Sequence, residues 1–115
     1  MNKIVNARID STRFGREDHG ILTFNIFVDL ASGGTCGIGG FALDEYDKEN
    51  DRRVCSAKGL EVMARILDVV GVYNWEDLPG TYVRVVDEGW GNFITKIGNL
   101  MKDEWVDIRE MFSEE

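Results

Sequence analysis

"ILTFNIFVDLASGGTCGIGGFALD", residues 21–44, decides how the rest of the chain is read. Leu22, Phe24, Ile26, Val28 and Leu30 alternate with Thr23, Asn25 and Asp29, the period of two of a strand that buries one face and wets the other. "ASGG" at 31–34 then supplies a hairpin turn, because glycine reaches positive φ without steric cost. The next strand, "TCGIGGFALD", carries Gly37, Gly39 and Gly40, which pack no side chain and lose more backbone entropy than other residues. Such a strand needs compensation: a bulge, a helix lying close over the sheet, or close approach of a ligand or another subunit's backbone. "GIGG" is not a phosphate loop, since neither its lysine nor a helix start follows.

Upstream, Val5, Ala7 and Ile9 alternate with Asn6, Arg8 and Asp10 as a half-buried strand, and "STRFGRED" at 11–18 reads as a polar loop. Downstream, "DEYDKENDRR" at 44–53 reads as a charged connection. A helix follows from about Val54 to Val70, with Leu60, Met63, Ala64, Leu67 and Val70 at helical spacing and Lys58, Glu61, Arg65 and Asp68 away from that stripe. Gly71 is a natural stop. In "NWEDLPGT", Trp75 and Leu78 are expected to pin the helix end to the core. "YVRVV" and "NFITKIGNLM" are the last two strands, joined by "DEGWGN", where Gly89 and Gly91 let the chain turn about a structural Trp90. "DEWVDIREMF" reads as a short amphipathic helix, with Trp105, Ile108 and Met111 or Phe112 on one side. The order β-β-β-α-β-β-α predicts a single α+β domain over residues 1–115. It has an antiparallel sheet of about five strands, one main helix and a short C-terminal helix.

At 115 residues, 43% apolar and with one proline, the chain suits one ordered domain with a real core. No apolar run reaches the length of a membrane span, and residues 1–10 lack a signal-peptide pattern. Cys36 and Cys55 have no metal-ligand spacing and read as free thiols of a reducing compartment. Acidic residues outnumber basic ones 21 to 13, a net charge of −8 that argues against duplex nucleic acid and acidic membranes as partners. A small anionic ligand then requires cations that converge locally. The same acidity suits a protein that masks a basic host surface as a DNA mimic does, which is the alternative reading.

The residues make a thin case for an enzyme. His19, the single histidine, follows Glu17 and Asp18 but opens a strand, where a hydrogen-bonded turn residue is the ordinary role. Neither cysteine has a histidine at a motif spacing, and the acids of 44–51 lack the ligand spacing, central glycine and terminal glutamate of a calcium loop. No cofactor or metal is expected. Binding makes a better case. Tyr82, Trp90 and Phe93 cluster in sequence with Arg84, Asn92 and Lys96 around one hairpin. Aromatic rings stack on nucleobases for about 1–3 kcal/mol each. Asparagine reads an adenine edge, and the arginine fork grips phosphate. The bland reading is that these aromatics are core and the charges solvated.

"NARIDSTRFGREDHGILTF", "GFALDEYD", "WEDLPGTYVRV" and "GWGNFITKIGN…KDEWVDI", taken in order from about Asn6 to Ile108, resemble the phage anti-Thoeris sponge family, the first type of Thoeris anti-defence protein. The resemblance implies a non-catalytic protein in the cytoplasm of the infected bacterial host. It would sequester glycocyclic ADP-ribose, the cyclic nucleotide signal of a TIR-domain protein, and some such proteins also capture cyclic oligonucleotides at separate sites. It implies a homo-oligomer, with a hexamer among its forms, whose pockets are shared between protomers. Carried over by position, Tyr82 stacks on the base, Asn92 is the polar contact, and Arg109 meets phosphate or ribose. After Arg109 the chain offers only Glu110, Ser113, Glu114 and Glu115 as polar residues, so Arg84, Lys58 and Lys96 are the candidates to complete phosphate neutralisation. Arg13 and Arg16 are candidates for a second anion site, and a solvated loop explains them equally well.

Overall fold

A computed structural model describes residues 3–89 and 92–113. The elements are β1 (Lys3–Glu17), β2 (Ile21–Leu30), β3 (Thr35–Ala42), β4 (Asp44–Asp47), β5 (Arg52–Cys55), α1 (Ala57–Val70), β6 (Tyr82–Asp87), β7 (Lys96–Asn99), β8 (Trp105–Asp107) and α2 (Ile108–Ser113). The fold is α+β, with an antiparallel sheet, one main helix and one short C-terminal helix. The sheet has six strands in the order β3-β2-β1-β6-β7-β8, and β4 and β5 form a separate two-stranded ribbon, so there are more strands than the expected five.

The sheet curls back on itself. β1 pairs with β6 through its first half and with β2 through its second, and Ile94, just before β7, bridges in parallel to Ile38 of β3. With α1 between the third and fourth barrel strands, this connectivity is that of a five-stranded Greek-key barrel of the OB type, to which β8 adds an edge. Ile9, Phe24, Ile26, Ile38, Val83, Ile94 and Ile97 fill its interior, and Val62 and Ile66 of α1 pack against that core.

Several sequence boundaries move. "STRFGRED" is not a loop: β1 runs on to Glu17, and a bulge between Ile9 and Ser11 shifts its phase by one residue. Val5, Ala7 and Ile9 share the inner face before the bulge; after it, Thr12 and Phe14 stand opposite Ile26 and Phe24. The alternation breaks there in sequence but not in space. "DEYDKENDRR" forms the β4–β5 ribbon, and Val54 and Cys55 belong to β5, so α1 starts later than expected. Ser56 caps the helix by accepting from the Gly59 N–H at 3.0 Å, and Gly71 ends it. Residues 105–107 form β8, so the C-terminal helix is shorter than "DEWVDIREMF", and Phe112 stacks on Phe41 at 5.2 Å.

Thr23 does not face water. It is 3% exposed, and its hydroxyl donates to the Phe41 carbonyl at 2.9 Å. The reason is the bulge in β3, where Gly39 stands opposite Asn25 and Ala42 opposite Thr23. Gly39 has φ 129°, and a Cβ there would lie 2.3 Å from the Phe24 carbonyl oxygen. Gly39 and Gly40 are therefore explained by a bulge, whereas Gly37 lies in regular register opposite Phe27. Leu78 is fully buried, and Trp75 meets Phe24 edge-on at 5.5 Å, so this pair does pin the turn after α1 to the core.

Candidate functional site

Lys96 at the start of β7 and Arg109 in the first turn of α2 come from separate elements that the β7–β8 pairing brings together. Lys96 stands in register with Asp107, two residues before Arg109. Both line a hollow of about 410 Å³ shared with Glu88, Thr95, Asp107, Glu110 and Ser113. Thr95 donates its hydroxyl to the Glu88 carboxylate at 3.2 Å, Asp107 accepts from the Glu110 N–H at 3.1 Å, and Ser113 donates to the Glu110 carbonyl at 2.9 Å. Among the described residues no ion pair holds Lys96 or Arg109. Two cations therefore face a hollow in which two of the three carboxylates are already engaged locally. A ligand carrying several negative charges would still need further cations there, because the acids outnumber the bases.

Asn92 lies apart from that pair. Its side-chain amide donates to the Glu88 carbonyl at 2.9 Å, which closes the β6–β7 loop. It lines, with Phe93, Thr35, Cys36 and Gly37, a hollow of about 240 Å³ on the outer face of β3. A second hollow of about 380 Å³ continues across the same Thr35–Gly37 segment to Phe27, Asp10 and Asp29. Phe93 is 66% exposed and Phe27 41%, and a Cβ on Gly37 would touch both rings at 3.8–3.9 Å. The two rings thus flank one glycine on an open face. Phe27 escaped the sequence reading although a signal existed: it falls in the polar phase of β2, between Asn25 and Asp29. Burial, with the charge of Asp87 as the lesser cause, pushes the Cys36 thiol in this hollow above its ordinary range.

The remaining candidates are dispersed. Tyr82 is 57% exposed, opposite Arg8 on β1. It stands about four strand positions from the Lys96 end of β6, roughly 13 Å away. Arg84 is engaged internally: its Nε donates to the Asn99 carbonyl at 2.8 Å and Nη2 to that of Lys102 at 2.7 Å. Lys58 pairs with Glu61 one helical turn on, at 3.7 Å. Arg13 pairs with Glu17 at 3.1 Å and donates to the Arg16 carbonyl at 3.0 Å, which ties its guanidinium to its own strand. Arg16 is exposed at the end of β1, opposite Leu22. His19 occupies a left-handed turn position with φ 61°. Trp90 lies outside the described residues, so its expected structural role stays an expectation.

No group of three or more histidine, cysteine or acidic residues among the described ones could hold a metal ion. No helix among them is long and apolar enough to cross a membrane. No protein-family model, no curated protein and no solved structure matches the chain.

Proposed function

We propose that this chain is a non-catalytic binding protein that captures a small cyclic nucleotide immune signal, glycocyclic ADP-ribose or a close relative. It would thereby block TIR-based immunity in the bacterial cytoplasm. The observation that carries the reading is the convergence of Lys96 and Arg109, neither ion-paired among the described residues, on one hollow with the hydroxyls of Thr95 and Ser113. The sequence resemblance adds the ligand class. The fold adds an analogy only: OB-type barrels bind oligonucleotides and sugars on the second and third strands and the adjoining loops, and Asn92 and Phe93 sit on such a loop.

Tyr82, Asn92 and the Lys96–Arg109 pair do not share one pocket within a single chain. A ligand touching all of them therefore requires the Tyr82 surface of one copy against the Arg109 surface of another, which agrees with the oligomer that the resemblance implies. Added cations from a second copy would also offset the excess acid of the hollow.

The test is capture and release. Purified protein is incubated with lysate of signal-producing cells, washed and heat-denatured, and the released small molecules are identified by mass spectrometry. Recovery of an intact cyclic ADP-ribose derivative supports sequestration. Consumption of the signal would make the protein an enzyme. A nucleotide-free protein that retains a basic polypeptide would favour the DNA-mimic reading.

A further inference from the structure

Two exposed rings meet at a strand position that carries no side chain. Phe27 of β2 stands in register with Gly37 of β3, so its ring rises on the same face of the sheet beside the glycine. Phe93 reaches that point from the β6–β7 loop, which is fastened there because the Ile94 N–H donates to the Gly37 carbonyl at 3.3 Å. A Cβ on Gly37 would lie 3.8 Å from the Phe27 ring and 3.9 Å from that of Phe93. Neither ring stacks on a neighbour: the ring pairs among the described residues are Phe24 with Trp75 and Phe41 with Phe112. Neither conformation nor crowding requires a glycine at this position. Gly37 lies outside the left-handed region, and nothing stands closer than 3.8 Å to its added Cβ. A glycine inside a regular strand weakens it. What the missing side chain leaves is a gap between two rings, open to the hollows of about 380 and 240 Å³ that meet at residues 35–37.

We propose that this gap is a binding slot for a flat aromatic cation, a quaternised nitrogen heterocycle seated over Gly37 between Phe27 and Phe93. An aromatic ring attracts a cation through its quadrupole, and a flat cation also stacks on it. The lining decides the sign of the charge. Asp10 and Asp29 are the charged residues of the two hollows, and no lysine or arginine lines either. Asp10 is the extra residue of the β1 bulge, which sets it with Ser11 on the rim of the larger hollow. Asp29 comes from the strand that carries Phe27. No ion pair or side-chain hydrogen bond among the described residues engages either carboxylate. Arg8 is the cross-strand neighbour of Asp29, but its guanidinium lies against Gly80, with Nη2 3.9 Å from where a Cβ would stand. Asp87 adds a negative charge that is felt at Cys36, in the floor of the slot. A phosphate would be repelled here. The slot shares no lining residue with the Lys96–Arg109 hollow, so its ligand is not the nucleotide proposed above and either reading can fail alone.

NMR titration of the full chain with three flat ligands of similar shape tests it: the cation N-methylquinolinium, neutral quinoline and the anion naphthoate. The cation should shift the Cys36 and Gly37 amides and bind about tenfold more tightly than quinoline, with naphthoate weaker still. Phe27→Ala and Phe93→Ala should each weaken the cation about tenfold and leave the melting temperature in place, since both rings are exposed. Gly37→Ala should weaken it comparably while the melting temperature holds or rises, because the new Cβ makes ordinary contacts and removes a glycine from a strand. Asp10→Asn combined with Asp29→Asn should erase the advantage of the cation over quinoline and leave the affinity for quinoline unchanged. Amides of Cys36 and Gly37 that do not respond to the cation overturn the proposal. So does Gly37→Ala with lower melting and full affinity, which would make the glycine a folding residue. Naphthoate bound as tightly as the cation overturns it too, by giving the slot to an anion. None of these outcomes touches the Lys96–Arg109 hollow, whose own test is capture of the nucleotide.

Discussion

Arg84 lies over the ring of Trp105, its Cζ 5.0 Å from the ring centroid, and the same ring rests on Gly98, where a Cβ would come within 2.6 Å of it. The stack of Gly98, Trp105 and Arg84 joins β7, β8 and β6 on the outer face of the sheet. With its two donations to the carbonyls of Asn99 and Lys102, the guanidinium fixes the turn between β7 and β8. Arg84 thus organises the turn that carries the chain toward Arg109. Arg84→Ala should lower stability by about 2 kcal/mol, from two lost hydrogen bonds of a charged donor and one cation–π contact. Arg84→Lys should recover only part of it, as a point charge cannot make the fork. Denaturant titration measures both. A variant as stable as the wild type but unable to hold nucleotide would return Arg84 to the binding site.

Gly39 and Gly40 separate strain from space. At Gly39 an added Cβ meets the Phe24 backbone, whereas at Gly40, with φ 83°, it meets nothing within 4 Å. Gly40→Ala should therefore cost only the left-handed penalty, about 1–2 kcal/mol. Gly39→Ala should exceed about 3 kcal/mol, because the bulge itself must reshape. Thermal denaturation of both variants orders them, and equal losses would mean that the β3 bulge is not held by close approach.

Asp44 should make the fold acid-sensitive. The carboxylate is buried, and its pairing with the Arg53 guanidinium at 2.8 Å holds its pKa below the usual carboxylate range, helped by the Leu22 N–H. Burial acts in the opposite direction and is outweighed. A depressed folded value means that stability is fully present above the unfolded carboxylate range and is lost as pH falls through the folded one. Melting temperature should thus fall on acidification below about pH 4. Asp44→Asn should melt lower at neutral pH and show a flatter acid limb. An unchanged acid limb in that variant would assign the acid sensitivity to other carboxylates.

The sequence reveals elements better than it reveals faces. The strand 21–30, the hairpin glycines and the end of α1 at Gly71 were legible because local propensity and tertiary structure agree there. The buried side of α1 was not: both sides carry apolar residues, and periodicity cannot tell which one meets the barrel. β1 was cut short because its bulge breaks the alternation, although its pairing with β2 continues without a loop. At the site, Lys96 is one of three cations that the sequence offers to join Arg109, and the β7–β8 register shows that it is the one brought to the same hollow. The internal engagement of Arg84 is not legible, because its acceptors are backbone carbonyls 15 and 18 residues away, which leave no trace in residue type.

Tyr82 offers a clean separation of binding from folding. At 57% exposure it contributes little to the core, so Tyr82→Ala should change stability by less than about 1 kcal/mol. If the ring stacks on a base, affinity for glycocyclic ADP-ribose should fall about ten- to hundredfold, matching about 1–3 kcal/mol of stacking. Calorimetry and melting on one preparation decide it. Loss of melting temperature with affinity intact would make the residue structural.

Arg109 and Lys96 give the sharpest test, because the ordinary reading of an unpaired surface cation is that it does nothing. With no ion pair to lose among the described residues, Arg109→Ala should leave the melting of the unliganded protein unchanged, and so should Lys96→Ala. If the pair grips a pyrophosphate, each alanine variant should bind at least tenfold more weakly. Arg109→Lys should lie between wild type and alanine, since charge remains but bidentate contact does not. Their effects should also be less than additive in the double variant, as two cations that hold one anion act together. Raising the salt should weaken the wild type more than the double variant, because two ionic contacts have been deleted. Arg84 is engaged with Trp105 and two carbonyls, so it cannot substitute for either cation. Equal affinity of the wild type and all three single variants would therefore leave this hollow without a ligand and remove the main support for the nucleotide reading.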